Sequence, residues 1–282
     1  MGTGATYSWD PRDVYLITGI TGTLGQEVAS QLKASTFCDV WGVSRDEKKQ
    51  VDLKRSMPEL KTCIGDIRSE RSLRRAVRRS GCTKILHFAA LKHVDIMEMH
   101  PEECIETNIN GTLNVLSMGL PVIFTSTDKA CEPINVYGQC KAISERLVLN
   151  HQAGGVVCRY GNVVGSRGSV IHKFSDLIQN DRVVPITDLS MTRFWITIQD
   201  AAAFVISHID TKTGLQIPAL KAAPLMAVVS AIARYHNKEA KTEVVGLRPG
   251  EKIHESLRPG ETSEKRTLSD DELDEMVRGI LG

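Results

Sequence analysis

The chain contains no run of about 18 apolar residues, so no stretch is a candidate membrane-spanning helix. It has almost no net charge: 35 Lys and Arg stand against 34 Asp and Glu, leaving +1. No bulk field therefore draws it to nucleic acid or to an anionic membrane, and neither is expected as a partner. It has no Cys-x-x-Cys. Its seven cysteines (Cys38, Cys63, Cys82, Cys104, Cys131, Cys140, Cys158) are scattered and odd in number, which argues against a disulfide framework and a zinc site. No metal is expected, and reduced thiols suit a cytoplasmic protein. Cys140, beside Lys141, is the one thiol whose neighbour suggests reactivity. There is no internal repeat and no low-complexity segment. Residues 1–12 lack the apolar core of a secretory signal and read as a flexible lead-in.

What is present is ordinary globular material, 41% hydrophobic and 24% charged over 282 residues. Short apolar runs read as buried parallel strands: 14–18, 40–43, 61–65, 84–88, 122–125 and 156–159. Between them lie helical stretches, from the first glycine turn to about 33, then 46–56, 69–79, 101–118 and 135–151. The Arg74, Arg75, Arg78, Arg79 run falls at helical spacing and reads as a solvated face. Strand alternating with helix predicts an α/β fold, a Rossmann-type doubly wound parallel sheet. After Tyr160 the alternation stops. Helices at 168–179, 199–209, 224–235 and 270–280 and strands near 192–197 and 241–245 are expected there, without an independent core. The division is thus 13–160 for a nucleotide-binding domain with the reactive residues, and 161–282 for a small substrate-binding lobe interleaved with the sheet edge.

Gly19-x-x-Gly22-x-x-Gly25 follows the first strand and opens a helix. Glycine there lets a pyrophosphate approach the backbone, and the helix N-terminus supplies N–H donors. Gly19, Thr21, Gly22, Thr23, Leu24 and Gly25 are therefore candidate cofactor contacts. At the end of the second strand, where a free ribose 2′-hydroxyl wants an acid, stand Ser44 and Arg45, with Lys49 close by. These suit a 2′-phosphate, so NADP is expected rather than NAD. Asp66 and Ile67 follow the third strand, placed for an adenine, although Asp66 also reads as a helix cap. Ala89 and Ala90 permit close approach after the fourth strand, and Lys92 follows at the sheet edge. His93 reads as a hydrogen-bonded loop histidine, and Asn108 as a structural bridge to backbone groups.

The fifth strand runs into Ser126-Thr127-Asp128-Lys129, then Tyr137-Gly138-Gln139-Cys140-Lys141. Tyr137 and Lys141, four apart, share a helix face, so the ammonium is expected to lower the phenol's pKa for acid/base work on a hydroxyl. Asp128 and Lys129 add a second acid/base pair, which suits more than a single hydride transfer. Downstream, 159–170, 191–195 and 248–252 are rich in Arg, Gly and Asn and suit a diphosphate.

These motifs resemble an extended short-chain dehydrogenase/reductase. More narrowly, over about 14 to 258, the chain is similar to the inverting UDP-N-acetylglucosamine 4,6-dehydratases of flagellin-glycan and capsule biosynthesis, within the polysaccharide biosynthesis protein family. That likeness rests on Ala89–Val94, Pro133–Gly138, Arg159–Val170, Met191–Thr197 and Arg248–Glu255. It implies a hydro-lyase. Tyr137, helped by Lys141, takes the 4-hydroxyl proton while a hydride passes from carbon 4 to NADP+. Lys129, with a depressed pKa from burial and from Lys141, takes the carbon 5 proton. Asp128, with a raised pKa, protonates the departing 6-hydroxyl. The hydride returns to carbon 6, carbon 5 is reprotonated from the other face, and a UDP-4-keto-6-deoxy-hexose for surface glycans results. Lys129 stands where retaining dehydratases of the superfamily carry Glu. The resemblance also implies that Lys92, Thr127, Asn162, Arg167, Arg193, Arg248 and Glu251 hold the UDP-sugar, that Lys92, Tyr137 and Lys141 also meet the cofactor, and that the protein is a homo-oligomer, a dimer or hexamer.

The chain departs from that family in a short connection at 117–120, at Gly154-Gly155, and after Glu255. An epimerase or reductase on the same scaffold is the nearest alternative, and it has no need of the Asp128-Lys129 pair. A non-catalytic NADP-binding protein is the remote one.

Overall fold

The computed structural model describes residues 12–35, 38–165, 169–265 and 268–282. The expected lead-in, Arg12 apart, and Arg167 lie outside the described residues. Seven strands form one sheet in the order β3-β2-β1-β4-β5-β6-β10, with every neighbouring pair parallel. They are β1 Val14–Thr18, β2 Asp39–Ser44, β3 Lys61–Ile64, β4 Lys84–His87, β5 Val122–Thr127, β6 Gly155–Tyr160 and β10 Gly214–Gln216. β5 and β6 are buried along their whole length. Strands covered on both faces by helices need such continuous apolar runs. The strand order reverses between β1 and β4, the crevice where such sheets take ligands.

The helices are set by local signals. Asp46 caps α2 (Glu47–Ser56) by accepting from Lys49 N, and Ser69 caps α3 (Glu70–Ser80), which ends at left-handed Gly81. α1 spans Thr23–Ser35 and α7 Val136–Leu149. The expected helix at 101–118 is broken: α5 (Pro101–Cys104) runs into a π-helical turn over Ile105–Asn110 and then α6 (Gly111–Leu116). The wider turn leaves the Asn108 carbonyl free to accept from Thr112 Oγ1 at 2.7 Å and from Ser144 Oγ of α7 at 2.8 Å. A further short helix, α4 (Val94–Met99), was not anticipated; its N-cap, His93, makes no side-chain capping bond.

Beyond β6 come β7 (Asn162–Val164), α8 (Val170–Gln179), β8 (Val184–Ile186), β9 (Thr192–Thr197) and α9 (Ile198–Ser207). After β10 follow β11 (Ala222–Pro224), α10 (Leu225–His236), β12 (Thr242–Val244), β13 (Ser256–Arg258), β14 (Glu261–Thr262) and α11 (Asp270–Leu281). Three small sheets result, β11-β9-β7, β12-β8 and β13-β14. Contrary to the expectation of no separate core, this part buries its own apolar cluster. Ile171, Phe174 and Ile178 of α8 meet Val228, Val229 and Ile232 of α10 and Leu273 and Val277 of α11. Strands of only three residues escape a search for alternating runs, and they are what closes that cluster. No helix among the described residues is long and apolar enough to cross a membrane.

Candidate active site

The end of β5 passes directly into a 3-10 turn, Asp128–Ala130, capped by Thr127, whose Oγ1 accepts from Lys129 N. Helix α7 starts six residues on, where Asn135 Oδ1 accepts from Gly138 N at 2.7 Å. α7 lies hard against the turn. A Cβ at Gly138 would overlap the Lys129 carbonyl oxygen and stand 3.1 Å from its carbon, so only glycine allows this approach. The result brings Ser126, Thr127, Lys129, Tyr137 and Lys141 to one cleft of about 680 Å³.

Tyr137 is 8% exposed and Lys141 4%. The Lys141 ammonium donates to the Thr125 carbonyl at 2.7 Å and sits 4.1 Å over the Phe124 ring. Burial pushes its pKa down to about 7 against the pull of Glu145. The expected lowering of the phenol by Lys141 is not found in this state. Burial, then the Asp128 carboxylate, hold Tyr137 above its ordinary value, and a Thr127 hydrogen bond acts the other way. Lys141 faces the strand carbonyl instead.

Lys129 also departs from expectation. Its Nζ is 3.0 Å from Asp128 Oδ1, 3.3 Å from Asn162 Oδ1 and 3.3 Å from Glu255 Oε1. Desolvation pulls its pKa down, but Asp128 and Glu255 outweigh it and hold the ammonium above its ordinary value. Lys129 therefore rests protonated. Asp128 is wholly buried, with Oδ2 lacking a partner among the described residues, and its Oδ1 also accepts from Thr127 Oγ1 at 2.9 Å.

At the cofactor end the glycine turn is built as its spacing implies. Gly19 has φ +73°, and a Cβ there would come within 2.8 Å of Ala89 N. Thr18 Oγ1 accepts from Phe88 N and Ala89 N, both at 3.2 Å, and meets His87 Nδ1 at 2.7 Å. His87 Nε2 meets Thr112 Oγ1, and burial first, then Lys141, keeps this ring neutral with a pKa of about 3. Gly19, Thr21, Gly22, Thr23, Leu24, Gly25, Lys49, Ala90, Lys92 and His93 line the cleft. Asn108 braces its wall as expected, accepting from Leu91 N and donating to Leu91 O, both at 2.9 Å. Ser44, Arg45, Asp66, Ile67 and Ala89 are not brought into the lining. The Asp66 carboxylate is taken by Arg68, with Nη2–Oδ2 at 2.8 Å, and Arg45 stands 3.9 Å from it. Ser44 Oγ accepts from Gln50 Nε2.

At the substrate end, of the described residues in the expected set, only Thr127, Asn162 and Lys92 line the cleft. Arg193 is buried behind it, donating to the carbonyls of Thr192 at 2.7 Å and Ile253 at 3.0 Å. Arg248 is exposed, and Glu251 Oε2 accepts from its backbone N–H. The segment that carries them docks on the N-terminus of α7 instead: Asn135 Nδ2 donates to Gly250 O at 2.7 Å. Sequence reasoning placed Tyr160, Ser169 and Trp195 in segments suited to a diphosphate but singled out none of them, and all three line the cleft; it gave Glu255 no role. Ser126, Ser169 and Trp195, which line the cleft, each carry a buried polar atom without a partner among the described residues: Ser126 Oγ, Ser169 Oγ and Trp195 Nε1. Unpaired buried polar atoms on residues that line a cleft are uncommon in a packed core and fit a polar ligand there. Only coordinates could reveal them, since polar residues inside buried strands carry no periodic signal.

The parallel sheet with its reversal at β1/β4, the glycine turn and the Tyr137–Lys141 helix define an extended short-chain dehydrogenase/reductase of the sugar-nucleotide-modifying group. The chain belongs to the family described as polysaccharide biosynthesis protein, matching it over residues 15–275. It is 38% identical over 260 residues to a UDP-N-acetylglucosamine 4,6-dehydratase (inverting) of Campylobacter jejuni, covering 86% of this chain and 76% of that one. It is 37% identical over 276 residues to a UDP-glucose 4-epimerase of Rickettsia rickettsii, covering 91% and 80%. Among solved structures, Pen from Bacillus thuringiensis superposes with a TM-score of 0.89 at 28% identity, over 96% of this chain and 98% of that one.

Proposed function

We propose that this chain is an NADP-dependent hydro-lyase, a UDP-N-acetylglucosamine 4,6-dehydratase that inverts carbon 5. The observation that carries the reading is the second acid/base pair: Lys129, in contact with buried Asp128, lines the same cleft as Tyr137 and Lys141. The glycine turn, the α1 N-terminus, Lys49 and Lys141 would hold the dinucleotide, with Ser44 and Arg45 toward the 2′-phosphate. When bound, the nicotinamide takes up a hydride and returns it, so the net reaction is loss of water.

Tyr137 takes the proton of the 4-hydroxyl. The ketone that forms at carbon 4 acidifies the hydrogen on carbon 5. Lys129 must be neutral to remove it, and its nearest acceptor is Asp128 Oδ1 at 3.0 Å. Passing the resting proton there arms both groups in one step: Lys129 becomes the base, and Asp128 becomes the acid for the departing 6-hydroxyl. Asn162, Thr127, Arg193, Arg248, Glu251 and Arg167 remain candidates for the UDP-sugar, and Arg193 and Arg248 would need to swing toward the cleft. A 4-epimerase is the second reading, because an epimerase relative stands at nearly the same identity.

The test is incubation with NADP and UDP-N-acetylglucosamine in deuterated water, followed by mass spectrometry. Loss of one water with deuterium at carbon 5 is expected, and Lys129→Ala should abolish the carbon 5 exchange. An unchanged mass with a new stereoisomer at carbon 4 would overturn the reading in favour of the epimerase. Comparing NAD with NADP in the same assay tests the cofactor, and a solution mass tests the homo-oligomer.

A further inference from the structure

Glu255 lies far from Lys129 in the chain, yet its Oε1 stands 3.3 Å from the Lys129 ammonium. The segment around it is fastened onto the catalytic turn. Lys252 Nζ donates to Cys131 O at 2.9 Å, Glu255 N donates to Ser263 Oγ at 3.0 Å, and Arg159 Nη1 donates to Leu257 O at 2.7 Å. The side chain is 2% exposed, and Oε2 has no partner among the described residues. The charged groups facing it are Lys129, Asp128, Arg193 and Lys252. Burying a carboxylate costs several kcal/mol unless it is well paired, and this one is half paired. Packing alone does not account for it.

We infer that Glu255 is the positioning residue of the elimination step, holding Lys129 toward the cleft and supplying the counter-charge for the proton that Lys129 receives. This rests on the dehydratase reading, since only that reaction needs a base at carbon 5. When the carbon 5–hydrogen bond breaks, its electron pair moves into the enolate of the 4-ketone and its proton goes to Lys129 Nζ. The new ammonium then lies against Glu255, while Asp128 still carries the proton that it gives to the departing 6-hydroxyl. Glu255 itself does not line the cleft and acts only through Lys129. Its relation to Lys129 is that of a third group orienting a base, the logic of any nucleophile–base–orienter triad.

Glu255→Gln keeps the volume and removes the charge. Carbon 5 exchange should fall by about 10- to 100-fold, a fraction of what acid/base groups contribute. Formation of reduced cofactor, which reports the carbon 4 step, should stay within about twofold because Tyr137 is untouched. The Lys129 titration, followed by 15N NMR of lysine-labelled protein and assigned with Lys129→Arg, should move to lower pH. Glu255→Asp should recover part of the exchange, and it supplies the same readouts if the glutamine variant fails to fold. Exchange equal to wild type, an unmoved Lys129 titration, or equal loss of both steps in a folded variant overturns the proposal. If the wild type itself neither exchanges carbon 5 nor loses water, the dehydratase reading fails and takes this inference with it. Normal wild-type exchange with an indifferent Glu255→Gln removes Glu255 alone.

Discussion

Replacing Lys141 with methionine should silence the enzyme while removing a pH-dependent burden on its stability. In the folded protein burial pulls the lysine from 10.5 to about 7. At about 1.4 kcal/mol per pKa unit, this makes holding the ammonium in place cost about 5 kcal/mol, an order-of-magnitude figure. Against that stand its hydrogen bond to the Thr125 carbonyl and its position over Phe124, together worth about 2–4 kcal/mol. Methionine fits a helix and an apolar pocket, so the variant should be at least as stable as wild type near pH 6. The pH slope is the sharper quantity. Between about 7 and 10.5 the unfolded chain keeps the Lys141 proton and the native state does not, so wild-type stability rises with pH there. Below about 7 both states hold the proton and the full cost remains. The variant lacks this gain, so the difference should shift toward wild type by about 1.4 kcal/mol per pH unit, or about 3 kcal/mol from about pH 7 to 9. Urea unfolding of both proteins at several pH values from about 6 to 9 measures it. Parallel stability curves, or a variant several kcal/mol weaker near pH 6, would refute the claim that this ammonium is buried at a cost.

Three further outcomes follow from the same geometry. Gly138→Ala must part the catalytic helix from the Lys129 turn by about 1 Å, which should cost about 1–3 kcal/mol by urea unfolding and about 100-fold in kcat. Arg159→Met leaves Glu145 buried without its partner and should destabilise by about 3–5 kcal/mol, and adding Glu145→Leu should recover most of that. Arg45→Ala should raise the Kd for NADP by about tenfold and leave that for NAD unchanged, read by fluorescence titration; equal effects on both would remove Arg45 from the 2′-phosphate.

The parallel sheet was legible because each of its first six strands is an apolar run closed by a turn, and because the glycine turn marks where the first strand meets its helix. β10 was not legible: three residues at a sheet edge carry too little pattern, and only pairing with β6 defines them. The break at Ile105–Asn110 was equally hidden, since the carbonyl that the π turn frees is taken up partly by Ser144 of α7, a tertiary contact. In the site, residue types and spacing brought Tyr137, Lys141, Asp128 and Lys129 together. Their protonation did not follow from spacing, because the Lys141 ammonium found a strand carbonyl and the Lys129 ammonium found a carboxylate from the far end of the chain.

That last partner bears on the choice between elimination and epimerisation. Asp128, Glu255 and Arg193 are withdrawn from water around Lys129, which is partly exposed to the cleft. Buried ion clusters are poor sources of stability, and apolar side chains of similar volume often serve a core as well or better. An enzyme that only oxidises and reduces carbon 4 needs Tyr137 and its cofactor, and could fill the space behind Thr127 with such residues. A base that must lose a proton, gain one from carbon, and stay in register with an acid beside it needs both a local acceptor and a fixed counter-charge. In the proposed elimination Asp128, at 3.0 Å, would provide the first and Glu255, at 3.3 Å, the second, which is why a cluster of this energetic cost favours that proposal over epimerisation.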